Sequence, residues 1–110
     1  MLLDNGADME AKDANGLTLL FESVIKGMRE TTIDLIQRGT NVEVRNEDGD
    51  TPLLWATKND NILMVVTLRR FGANAKAKSK EGKEVIEYAK PGSAVETEIM
   101  KCLTTSKNTK

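Results

Sequence analysis

Catalysis needs a nucleophile, a base or a set of metal ligands held together, and this chain carries few candidates. It contains no histidine. That removes the Ser-His-Asp and Cys-His constellations and the commonest zinc ligand. Cys102 is the single cysteine, so it has no second thiol to bridge with or to help it hold a metal. It reads as a small core residue of the last helix. Asp and Glu together number 17, but they lie in hydrophilic turns, where solvation explains them. No Gly-rich phosphate loop of the Walker or dinucleotide type appears. No catalytic residue, metal ligand or cofactor is therefore assigned, and the chain reads as a non-enzyme.

The remaining chemistry is charge. Lys and Arg number 16, which leaves a net charge of −1, so no global field points to a polyanion or a lipid surface. Locally the signs separate. "NEDGD" holds Glu47, Asp48 and Asp50, whereas "KAKSKEGK" holds Lys76, Lys78, Lys80 and Lys83. The lysine stretch lacks the arginine and interleaved aromatics that base stacking needs. Neither nucleic acid nor a membrane is expected as partner. No apolar run approaches the roughly 18 residues of a membrane span, and Asp4 follows Met1-Leu2-Leu3 too closely for a signal-peptide core. A lone cysteine suits a cytoplasmic or other reducing intracellular compartment.

The elements that must position these charges repeat. Gly16, Gly49 and Gly82 are evenly spaced, and Gly6, Gly39 and Gly72 follow one another at the same interval. Thr18 matches Thr51, Leu20 matches Leu53 and Ile86, and Leu2, Leu35 and Leu68 form another series. "NEDGDTPLLWA" is thus a copy, with "DANGLTLLFES" and "SKEGKEVIEYA" as relatives. Each unit begins with turn chemistry, in which Gly49 is free to take positive φ. Thr51 suits a helix N-cap and Pro52 the first helical position. A short apolar helix breaks at Lys58-Asn59-Asp60, a longer helix follows, and Gly72 closes it. Such a unit cannot bury its own apolar face and must stack on neighbours.

The pattern resembles the ankyrin repeat family. The matching features are the 33-residue period, "DGDTPLLWA", and the three segments "GADMEAKD", "GTNVEVRN" and "GANAKAKS". The resemblance implies an all-α repeat solenoid of helix-turn-helix units linked by β-hairpin-like loops. The repeat domain spans 1–103: a partial repeat 1–12, repeats 13–45 and 46–78, and a degenerate capping repeat 79–103. Residues 104–110 are expected to form a disordered tail. Where the family carries a histidine, this chain has Phe21, Leu54 and Glu87. The usual Ile-Val pair of the second helix is Thr31-Thr32, and Arg69 replaces the second leucine of the next repeat.

The resemblance also implies a binding surface for a protein partner, made of hairpin tips and the exposed face of each first helix. Carried over position by position, it comprises Lys12, Ala14, Asn15, Leu17, Ile25 and Lys26, then Arg45, Glu47, Asp48, Asp50, Lys58 and Asn59, then Lys78, Lys80 and Lys83. The family's hairpin asparagine is replaced by Glu10, Glu43 and Lys76, so its hydroxylation is not expected. Leu20, Leu35, Ile36, Leu53, Ala56, Val65, Leu68 and Ile86 should face inward, Trp55 should pack between repeats, and Met28, Met64 and Met100 should fill helices. Leu2 and Leu3 remain of an earlier repeat, which leaves the face behind Leu17, Leu20 and Phe21 open. Two outcomes stay open there: a homodimer through that N-terminal face, or a weakly stable monomer. A segment of a longer solenoid is the structural alternative to a binding module.

Overall fold

The computed structural model describes residues 10–14 and 16–108, without the side chains of Cys102 and of residues 104–108. The expectations for Leu2, Leu3, Asn15 and the Cys102 side chain lie outside the described residues. Helix α1 is Leu19–Ile25, α2 Arg29–Gln37, α3 Pro52–Lys58, α4 Ile62–Arg70 and α5 Ala94–Asn108. A single-turn 3-10 helix, Val85–Tyr88, stands where the third repeat's first helix is expected. Helix α1 packs on α2 and α3, α4 on α2, α3 and α5, and the 3-10 helix on α3 and α5. The chain is an all-α repeat solenoid with the first helices in one layer and the second helices in the other.

Local chemistry fixes each element. The Thr18 and Thr51 hydroxyls accept the backbone N–H of Phe21 (3.3 Å) and Leu54 (3.2 Å), the N-cap bond that stabilises a helix start by about 1 kcal/mol. Pro52 occupies the first turn of α3. In the third repeat Glu84 and Glu87 form a capping box, which gives the residue at the family's histidine position another task. The 3-10 turn ends because Pro91 has no N–H to bond back to the preceding turn. Helix α1 closes on Gly27 at φ +71, and its counterpart in the next repeat, Asp60, takes φ +55 to close α3.

The core lies between the layers. Leu20, Leu35, Leu53, Ala56, Val65 and Leu68 are fully buried as expected, whereas Ile36 and Ile86 sit half-buried at its edge. Trp55 is half-buried against the same cluster. Phe21 and Leu54 are buried, so apolar packing fills the family's histidine position. Of these three methionines only Met64 is buried; Met28, at the N-cap of α2, and Met100, on α5, are exposed. The Thr31-Thr32 departure is absorbed by hydrogen bonding. Thr32 Oγ1 lies 2.7 Å from Ser23 Oγ and donates to Met28 O, while Ser23 Oγ donates to Leu20 O. Arg69 is absorbed by a half-buried ion pair with Glu98 of α5. Helix α5 runs to Asn108, into the stretch expected to be a disordered tail. Extending an existing helix adds one hydrogen bond per residue and avoids the cost of nucleation.

Candidate partner-binding surface

Each hairpin tip is shaped by one side chain at its first position. Asn46 Oδ1 accepts the backbone N–H of Asp48 (2.9 Å) and Asp50 (3.0 Å). Asp13 Oδ1 accepts that of Leu17 and Ser79 Oγ that of Glu81. Three different residues thus perform the same task, that of an Asx or Ser turn. The second tip turns at Gly49, with φ +81.

The tips are joined by bonds that step one repeat at a time. Lys12 Nζ donates to Arg45 O (3.3 Å), and Arg45 NH1 donates to Lys78 O (2.6 Å) and to Gly49 O (2.7 Å). A second ladder runs at the hairpin bases. Glu10 Oε2 accepts from Asn41 N (2.8 Å) and Thr40 Oγ1, and Glu43 Oε2 accepts from Asn74 N (2.8 Å). Side chains also stack tip on tip. A methyl on Gly16 would stand 3.0 Å from Glu47 Cγ, and one on Gly49 3.4 Å from Lys80 Cβ. The row is therefore a cross-linked edge with its charges at fixed spacing.

That ladder divides the expected contact residues. Lys12 and Arg45 are exposed, but their cationic heads are engaged by carbonyls of the next repeat. Glu47 lies on Gly16, and Asn59 donates to Trp55 O. Ala14, Ile25 and Lys26 are exposed, Lys26 pairing with Glu22, and Leu17 is half-buried. Asp50 corrects the sequence reading. It is expected on the surface but is 4% exposed, and its carboxylate is paired with Lys58 from the end of α3. Asp48, Lys78, Lys80 and Lys83 are exposed. Among the described residues, the side chains of Lys76, Lys78, Lys80 and Lys83 enter no hydrogen bond or ion pair.

Lys58 is the centre of a cluster the sequence did not reveal. Its Nζ lies 2.9 Å from Asp50 Oδ1 and 4.7 Å from the centre of the Tyr88 ring. Tyr88 OH in turn lies 2.6 Å from Ser79 Oγ and 3.3 Å from Glu81 Oε1. Burial alone would lower the Lys58 pKa, but the hydrogen bond and charge of Asp50, with Tyr88 and Glu81, outweigh it and raise the value. Glu81 is held below the usual carboxylate range, chiefly by the hydrogen bond from Ser79. The available signal was the spacing: Tyr88 stands one full period after Trp55, so the two aromatics occupy equivalent places in neighbouring repeats.

The described residues contain no group of acidic, Cys or His side chains arranged to hold a metal, and no described helix is long and apolar enough to cross a membrane. The surface presents exposed charges on an edge joined by hydrogen bonds between repeats.

Comparison with known proteins agrees with this geometry. The family described as ankyrin repeats (three copies) matches residues 1–80. The mouse B-cell lymphoma 3 protein homolog is 32% identical over 74% of this chain, which spans only 18% of that protein. The crystal structure of the human ASB11 ankyrin repeat domain superposes with a TM-score of 0.78 and 26% identity, over 92% of this chain and 45% of that one. The ankyrin repeat domain of Bcl-3 gives a TM-score of 0.80 at 26% identity, over 94% of this chain and 43% of that one. By motif, sequence and architecture, the chain belongs to the ankyrin repeat family.

Proposed function

We propose that this chain is a non-catalytic module that grips a partner protein along the hairpin tips and the exposed faces of its first helices. Ankyrin repeat domains are in general protein–protein interaction modules. The observation that carries the reading to this edge is the ladder from Lys12 through Arg45 to Lys78. It holds Asp48, Lys80 and Lys83 in fixed register, and a rigid charged surface binds with little ordering cost. A single cysteine suits work in a reducing intracellular compartment. The test is photo-crosslinking in an extract of the source cell, with a photo-reactive residue introduced at Asp48, at Lys83 or at Leu63, which is exposed on α4. One protein crosslinked from both 48 and 83 is expected. A partner captured only from 63 would place the interface on the outer helices.

A second reading, end-on stacking, rests on the α1–α2 face. Leu19 and Met28 are 37% and 47% exposed there, around a hollow of about 180 Å³. The counterparts of Leu19 one and two repeats on, Pro52 and Val85, are buried. The face has the form of one that receives another repeat, from a longer array or from a second copy. The sequence placed Leu20 and Phe21 on this face, but both are buried, so Leu19 and Met28 are the residues such stacking would cover. Light scattering of the isolated chain and of Met28→Glu separates the cases: a dimer that Met28→Glu dissociates supports self-stacking, and a monomer at about 0.1 mM rejects it.

A further inference from the structure

The base ladder ends in a charge reversal. Glu10 receives the N–H of Asn41, and Glu43 receives the N–H of Asn74. The next residue in that series is Lys76, which cannot accept a hydrogen bond. Among the described residues no loop stands at the equivalent place in the next unit. Thr105, one full period beyond Gly72, lies within helix α5. The side of the 72–76 loop that would meet a further repeat is left as a groove of about 460 Å³. Ala73, Ala75 and Leu103 line it with apolar atoms, and Lys76 lines its polar side. Arg69, also at the groove, is neutralised by Glu98. Lys76, Lys78 and Lys80 are exposed and alternate with buried Ala75, Ala77 and Ser79, so three ammonium groups, unpaired among the described residues, lead away from the groove.

We infer that this groove binds an acidic, non-helical peptide segment, which takes the place of the next repeat's loop. An aliphatic side chain of the segment rests on Ala73, Ala75 and Leu103. A carboxylate beside it meets Lys76, and further carboxylates meet Lys78 and Lys80. The reversal at position 76 selects this occupant. A loop of the kind found in the upstream repeats presents backbone N–H at this point, and an ammonium group repels it where a glutamate would receive it. The apolar floor and the absence of aromatic platforms favour a peptide over a nucleic acid strand. The groove itself is lined by α4, α5 and the hairpin base, so its Lys76 end is separate from the first-helix face, whereas Lys78 and Lys80 are shared with the hairpin row of the proposed interface.

The test uses a fluorescent, end-capped Glu-Leu-Glu-Ala-Glu peptide and its Gln-Leu-Gln-Ala-Gln counterpart, with polarisation as readout and amide NMR shifts to locate the site. The acidic peptide should bind, shift the amides of residues 73–76, and weaken with added salt. Lys76→Glu, which restores the residue type of the upstream repeats, should weaken binding about tenfold, as expected for replacing an attractive charge with a repulsive one. Lys90→Glu, the same charge change on an exposed residue outside the groove, should leave affinity unchanged. Equal loss in both variants would overturn the site, as would equal binding of the glutamine peptide. Tighter binding of an oligothymidylate, or of phosphatidylserine vesicles, than of the acidic peptide would overturn the peptide assignment. Retention of the Asp48 and Lys83 crosslinks in Lys76→Glu would show the first-helix interface to be intact whatever happens in the groove.

Discussion

Asp50 and Lys58 form an ion pair, Oδ1 to Nζ 2.9 Å, that ties the second hairpin to helix α3 with the carboxylate buried and the ammonium partly exposed. Losing the cation strands a buried charge, whereas losing the carboxylate leaves an ammonium that can reach water. Lys58→Met should therefore destabilise more than Asp50→Asn, by about 2–3 against about 1 kcal/mol in urea titrations. Equal midpoints would show that the pair contributes little.

The pH dependence follows from the same pair. The Lys58 pKa is raised above its ordinary value of 10.5 in the folded chain. Its contribution is fully present below 10.5 and is lost as pH rises through the higher folded value. Midpoints measured across that alkaline range should fall in the wild type, and Asp50→Asn should flatten the fall.

Thr57 is a second point of stress. Its hydroxyl is buried without a hydrogen-bond partner among the described residues. Its counterpart in the preceding repeat is Val24, which is fully buried. An unpaired buried hydroxyl costs about 1–3 kcal/mol. Thr57→Val should raise the melting temperature by several degrees in calorimetry; a lower value would mean that the hydroxyl has a partner in solution.

Asp60 holds φ +55 at the end of α3, a conformation that costs a non-glycine residue free energy. Asp60→Gly should stabilise by about 0.5 kcal/mol, since glycine's larger unfolded entropy offsets part of the gain. Asp60→Ala should destabilise. The order of the three midpoints in urea checks both.

Leu53 is a fully buried member of the larger core cluster. Leu53→Ala should lower stability by about 2–5 kcal/mol. Circular dichroism of the variant should show loss of cooperative unfolding, because each repeat is held mainly by its neighbours.

Much of this was legible in the sequence, because the periodic spacing of glycine, threonine and leucine encodes turns, caps and core at once. Residues with alternative partners were less legible. Asp50 reads as a solvated turn residue until Lys58 is seen folding back over it. Lys12 and Arg45 read as free charges, but each is drawn to a carbonyl of the next repeat that only stacking brings near. The third first-helix shrinks to a 3-10 turn because Pro91 removes a donor, and the tail winds onto α5 because a helix already exists there.

If a partner protein is held by the ladder-fixed row, its affinity depends on the exposed charges there. The most direct measurement is the affinity of the crosslinked partner for Asp48→Asn/Lys80→Gln/Lys83→Gln compared with the wild-type chain. Asp50 is left intact because its replacement would disturb the scaffold. All three residues are exposed, so the urea midpoint should hold while the affinity falls about tenfold. Unchanged affinity in the folded triple variant would contradict the claim and place the interface elsewhere on the solenoid.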